Sequence, residues 1–180
     1  MTNFQIAQLS LQAVSVLGVL ATFVFALRTL RLNVAAYRDL HDWNRRKAAH
    51  DAVGKYRDFA DDGRKIGETF SSAGGFDPLP LEAVKDKIHA DPTLRISIHK
   101  LFNFYEELAS GVRYAVFDEG IVRDSLQTAM MQSFVRFTPY IEHLRHNGRP
   151  RAYREYELLV KRWQDEANVS PERRPTGANA

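Results

Sequence analysis

The sequence predicts an all-α protein: a single N-terminal transmembrane helix followed by a cytoplasmic helical bundle of about four or five helices. Three observations carry that reading. The first side chain of the Asp, Glu, Lys, Arg or His type is Arg28, so residues 1–27 hold none of them. Beyond that point apolar residues recur at helical spacing, and no segment shows sustained period-two alternation. Turn signals, including Asp91-Pro92 and Asn147-Gly148, divide the remainder into pieces of helix length.

The anchor comes first. Ala13–Leu27 (AVSVLGVLATFVFAL) is almost wholly apolar. A span of roughly 20 such residues matches the ~30 Å hydrocarbon core of a bilayer. A cleaved signal peptide would place basic residues before its apolar core and a small-residue site after it; here the basic residues follow the core. A buried core helix would show an amphipathic face, which this stretch lacks. Because Lys and Arg near a span are retained on the cytoplasmic side, the N-terminus is expected outside and the remainder inside a bacterial inner membrane. The chain has no cysteine, which agrees with a reducing compartment.

Within the anchor, Gln5, Gln8, Gln12, Ser15 and Thr22 fall on one heptad seam, with Val19 filling its gap. An amide in lipid favours a neighbouring helix that hydrogen-bonds it, by ~0.6–2 kcal/mol per contact. Gly18 and Thr22 form a small-xxx-small pair that permits close backbone approach. The seam therefore suggests self-association or docking on a partner's membrane helix. The competing reading puts the glutamines in the outer headgroup layer and bonds Ser15 and Thr22 to their own backbone. Below the span, Arg28, Arg31, Arg38, Arg45, Arg46 and Lys47 form a basic cluster suited to anionic headgroups, at ~1 kcal/mol each; setting topology explains it equally well. With 25 basic against 22 acidic residues, the chain carries no nucleic-acid footprint, and none is expected as a partner.

The soluble part, residues 28–180, is one domain by size. A juxtamembrane helix is predicted over residues 28–70, with Ala49, Val53, Tyr56 and Ala60 at heptad spacing until Gly63 and Gly67. Ser71–Pro80 is a break, followed by a short helix from Pro80 or Leu81 to His89. Asp91 as cap and Pro92 at the first helical position open the best-patterned helix. Its stripe is Ile98, Leu101, Phe102, Tyr105, Leu108, Ala109, Val112 and Val116. Asp118 is placed to cap the next helix, which carries Leu126, Met130, Phe134, Phe137, Ile141 and Leu144 and ends at Asn147-Gly148. Pro150 opens a last helix with Tyr153, Tyr156, Leu159 and Trp163 on its core face. The helical domain thus spans 71–167, and the polar tail, 168–180, is expected to be disordered.

Several of these residues fall in a familiar pattern. Tyr105-Glu106-Glu107-Leu108-Ala109-Ser110-Gly111-Val112, then Phe117-Asp118-Glu119, then an aromatic-rich helix from Phe134 to Ile141 with Arg145, then Tyr156-Glu157-Leu158-Leu159 and Trp163, follow one another. Over about Leu101–Trp163 the chain resembles a bacterial family of uncharacterised membrane-anchored helical proteins, a domain of unknown function. The resemblance implies a location and a fold class and brings no activity. Its family-like polar positions are Glu106, Glu107, Gly111, Asp118, Arg136 and Arg145; either glutamate fits the acidic position.

Chemistry is hard to find in the sequence. No zinc-protease, redox, nucleophile-elbow, phosphate-loop or dinucleotide motif is present. His143 and His146 share a helix face, but a metal site needs further ligands, and His at a helix C-terminus is ordinary. Glu106, Glu107, Arg113, Arg136 and Arg145 are the polar residues expected to meet between helices, as structural Glu–Arg pairs. Gly111 inside the best helix costs ~1 kcal/mol relative to Ala, which close approach of another helix would explain. The expected function is an interaction or oligomerisation module at the inner membrane, with the bilayer and a homo-oligomeric or membrane partner, no cofactor and no enzymatic activity. The alternatives are an anchor that assembles into a leak or pore and an unrecognised enzyme using a Glu/Arg pair.

Overall fold

A computed structural model of the protein describes residues 3–71 and 77–169, with side chains for Gly18, Leu20, residues 22–71 and residues 77–168. All regular structure among the described residues is helical. It comprises α1 (Asn3–Gly54), a 3-10 turn (Lys55–Phe59), α2 (Ala60–Thr69), α3 (Leu81–Ala90), α4 (Pro92–Arg113), α5 (Glu119–His146) and α6 (Arg154–Val169). The chain divides into two compact units, residues 1–44 and 45–180.

The first unit is a stretch of α1. Its large apolar side chains are exposed: Leu20, Phe23, Val24, Phe25, Leu27, Leu30 and Leu32, then Tyr37, Leu40 and Trp43. They are spread round the helix rather than gathered in one stripe. Arg28, Arg31 and Arg38 are exposed among them. Among the described residues no helix is long and apolar enough to cross a membrane. The expected transmembrane span therefore has no support there; the side chains of residues 1–17, 19 and 21, most of the expected anchor, lie outside the described set.

In the second unit α4 is the central helix, packing against α2, α3, α5 and α6. Its start follows from two residues. The Asp91 carboxylate accepts from Thr93 N at 2.9 Å and from Thr93 Oγ1 at 2.6 Å, and Pro92 takes the first position, where no amide hydrogen is needed. Lys65 of α2 lies 2.7 Å from the same carboxylate and also donates to Thr93 Oγ1. The Lys65 bond, then the Thr93 bonds, hold the Asp91 carboxyl down at about 2. The predicted stripe from Ile98 to Val112 is buried, but Val116 is exposed, because the helix stops at Arg113. Around it the aromatic rings interlock. Phe102 meets Phe137 edge-on at 5.4 Å and Tyr153 at 5.3 Å, while Tyr156 meets Tyr105 at 5.2 Å and Phe134 at 5.3 Å. Such pairs add ~0.5–1.5 kcal/mol each beyond their burial.

The helix expected to run unbroken to Phe70 ends at Gly54. The tighter 3-10 turn shifts the helical phase, so that Phe59 stacks on Phe104 at 4.7 Å. The heptad seam fades across it: Ala49 is buried, Val53 and Tyr56 are half-buried, and Ala60 is exposed. Residues 72–76 of the expected break lie outside the described residues, and Leu79 beyond them is buried. Gly148, at φ +91°, closes α5 with Arg149 N donating to Leu144 O at 3.2 Å. Pro150 does not open the last helix as expected: the chain turns through Tyr153, held at φ +55°, and α6 starts at Arg154. A bulky residue there is unusual; the burial of the Tyr153 ring against Phe102 compensates. Of the expected disordered tail, Asn168 and Val169 complete α6, and residues 170–180 lie outside the described residues.

Candidate functional site

Four of the family-like polar residues, Glu106, Asp118, Arg136 and Arg145, bond backbone groups at or beside helix ends, which need partners. Glu106 reaches from α4 to the start of α6, accepting from Glu155 N at 3.2 Å and Tyr156 N at 2.8 Å. A carboxylate there also meets the positive end of the α6 dipole. Glu107, one position on and turned away by about 100°, is exposed. Asp118 caps α5, accepting from Ile121 N at 3.2 Å. Arg136 donates to Phe70 O at 2.6 Å, and its own carbonyl accepts from Leu79 N at 2.8 Å. It thereby brackets the chain leaving α2 and the chain entering α3.

Arg145 donates from Nε and Nη2 to Ala152 O at 3.0 and 2.8 Å, and its Nη1 lies 2.7 Å from the Glu157 carboxylate. Burial pushes the Glu157 carboxyl up, but Lys161 and Arg145 outweigh it and the net shift is downward. Glu–Arg pairs between helices were expected to use Glu106 or Glu107. Instead Arg145 takes Glu157, and Arg113 takes Glu155. Sequence reasoning also missed Glu119, which accepts from Trp163 Nε1 at 2.8 Å and pairs with Arg162 at 2.7 Å. The signal available was the acidic first turn of α6 (Glu155, Glu157) facing two arginine-bearing helices.

Gly111 is explained by a ring rather than by another helix. A Cβ there would lie 2.1 Å from Phe117 Cδ2. The chain folds back after α4 through Ala115 at φ +55°, and Val116 N and Phe117 N both donate to Gly111 O, at 2.8 and 3.1 Å. The same turn uses two members of the basic cluster: Arg45 Nη2 is 3.5 Å from Phe117 O, and Arg46 Nε is 3.9 Å from Asp118. Lys47 is exposed. On the anchor seam, the side chains of Gln5, Gln8, Gln12 and Ser15 lie outside the described residues. Thr22 Oγ1 donates to Gly18 O at 2.8 Å, and the space where a Gly18 Cβ would sit is open.

The histidine pair stays local. His146 Nδ1 is 2.7 Å from Glu142 O, and Asn147 Nδ2 is 3.1 Å from His143 Nδ1. No group of three or more potential metal ligands gathers among the described residues.

A histidine not singled out from the sequence occupies the more consequential position. His99 of α4 is half-buried, with Nδ1 2.6 Å from the Tyr153 hydroxyl and Nε2 3.3 Å from the Tyr140 hydroxyl. Burial lowers its pKa, and the Arg149 and Arg95 charges lower it further. Burial raises Tyr140, and raises Tyr153 to about 12. All three groups are therefore neutral near pH 7. A neutral imidazole donates from one nitrogen and accepts at the other, so the two hydroxyls take opposite roles. His99 and Tyr140 line an open cleft of about 670 Å³ between α4 and the end of α5, edged by Arg95, Lys100 and Arg149. A signal was present in Arg95 and His99, which stand one turn apart on the same edge of α4 soon after its cap.

No curated protein and no solved structure matches this chain. One family model does, over residues 16–163, well beyond the stretch from Leu101 that carries the resemblance in sequence. Every polar residue described above from Arg45 to Arg162 falls inside that range. The chain belongs to the DUF4760 family, a domain of unknown function.

Proposed function

We propose that the protein is a single-pass, membrane-tethered interaction module, with its N-terminus outside and its helical second unit held at the cytoplasmic face of the inner membrane. The observation that carries this reading is the unbroken absence of charge over residues 1–27, continued by apolar side chains exposed all round α1. Apolar side chains on every face of a helix favour an apolar surrounding, whether lipid or other helices. Arg28, Arg31 and Arg38, exposed just beyond, supply the cytoplasmic charge bias. The second unit supports a binding role more than a chemical one, because Glu106, Asp118, Arg136 and Arg145 are engaged as braces at helix ends. Self-association would run through Gln5, Gln8, Gln12, Ser15, Gly18 and Thr22.

The test is extraction of the full-length protein from membranes of its host. It is expected to resist an alkaline wash, to need detergent, and to keep a C-terminal fluorescent fusion bright in the cytoplasm. Release by the wash would overturn the tether. In detergent, Gln8→Leu with Gln12→Leu is expected to lower the native mass, and an unchanged oligomer would remove the seam.

A further inference from the structure

We infer that the cleft beside His99 is a binding site for a small organic phosphate, its phosphate held by Arg95, Lys100 and Arg149 over a floor made by Tyr140 and His99. This does not depend on the membrane tether. Four arginines of the second unit are matched with carboxylates from other helices: Arg113 with Glu155, Arg123 with Glu166, Arg145 with Glu157, Arg162 with Glu119. Arg95 and Arg149 have no carboxylate partner among the described residues, and Lys100 reaches only Asp62, at 3.8 Å. Asp62 itself already accepts from Ser97 at 2.6 Å. No carboxylate lines the cleft. Two unpartnered guanidinium groups from different elements are thus brought to one place, where each depresses the same histidine. Such an arrangement is repulsive when empty and is relieved by an anion.

Size and lining narrow the ligand. A volume of about 670 Å³ falls in the range of small-molecule sites, roughly 300–1,000 Å³, and greatly exceeds what a bare ion needs. Ile96 and Leu144 give the cleft apolar wall, and Asn103 and Asn147 give it hydrogen-bonding groups, as an organic body would require. Arginine forks suit phosphate oxygens, which accept paired N–H bonds. The backbone that carries Arg149 is held: it lies on the turn that Gly148 closes and that Arg145 clamps through Ala152 O. A soluble phosphate ester and a phospholipid headgroup present the same chemistry to these residues.

The experiment uses full-length protein in an uncharged detergent, with the His99 ring signals assigned by comparison with His99→Gln. Inorganic phosphate, phenyl phosphate and dihexanoyl phosphatidic acid are titrated in turn. A saturable shift of the His99 signals is expected, weakened by added salt. Arg95→Gln with Arg149→Gln is expected to weaken it by about tenfold or more while leaving the thermal midpoint in place, since both side chains are exposed and unpaired. Response to phenyl phosphate identifies a soluble ester as the ligand, and response to the lipid alone identifies a headgroup; both support the site. No saturable shift with any probe overturns the inference. So does equal weakening by Arg57→Gln with Arg64→Gln, exposed arginines away from the cleft.

Discussion

Replacing Glu106 with alanine is expected to destabilise the second unit by about 2 kcal/mol, while the same change at Glu107 stays within about 0.5 kcal/mol. The difference is geometric. Glu106 accepts from two amides at the start of α6, Glu155 N and Tyr156 N, whereas Glu107 is exposed. Hydrogen bonds to a charged group are worth ~1.5–3 kcal/mol each, and lost helix caps cost ~0.5–2 kcal/mol. Glu106 is half-buried, so water replaces part of what is removed, and the lower end of those ranges applies to the pair together. For a unit of this size that lowers the thermal midpoint by about 6 °C. Glu106→Gln should fall near half the loss, because its amide keeps one acceptor for Tyr156 N and offers Glu155 N none. Trp163 is a suitable reporter, being fully buried on α6. Urea unfolding followed by its emission should show Glu106→Ala well below Glu107→Ala. Equal midpoints for the two alanine variants would refute the assignment of Glu106 as the α6 cap.

Gly111→Ala gains about 1 kcal/mol of helix propensity but drives a Cβ into the Phe117 ring. Expelling that half-buried ring and its turn should leave a net loss of about 1 kcal/mol. In a Phe117→Ala background the same change should become stabilising, and a double-mutant cycle from urea midpoints checks the sign reversal. Arg145→Ala removes the bonds to Ala152 O and the Glu157 partner, at an expected cost of about 2 kcal/mol in the same assay. The pH dependence has a definite direction. His99 has a folded pKa below its ordinary 6.5, so the unfolded chain binds the proton first as pH falls. Stability from this group is complete above about pH 6.5 and is lost as pH drops towards the lowered value. Urea midpoints at pH 7.5 and 5.5 should therefore differ less in His99→Gln than in the unchanged protein.

The parts of this fold that were legible are those whose cause is local. Asp91 and Pro92 start α4, Asp118 starts α5 and Gly148 ends it, because a cap or a left-handed turn is satisfied within a few residues of itself. The α4 stripe was legible for the same reason: one helical period decides it. Its error at Val116 came from a helix end set by Phe117 folding back on Gly111, which no periodicity announces. Glu106 and Glu107 were indistinguishable because only the docking position of α6 chooses between them.

Charge was the least legible property. Arg28 to Lys47 reads as one basic cluster, yet Arg45 and Arg46 belong to the second unit and reach the turn at Phe117 and Asp118, far along the chain. A total of 25 basic and 22 acidic residues says nothing about which cations are matched. The fold does the matching. It neutralises Arg113, Arg123, Arg145 and Arg162 with carboxylates from other helices and leaves Arg95 and Arg149 without one, beside a histidine that burial keeps neutral. What distinguishes Arg95 and Arg149 is that two elements bring them, unmatched, to one cleft that no carboxylate lines, and that is where binding is best sought.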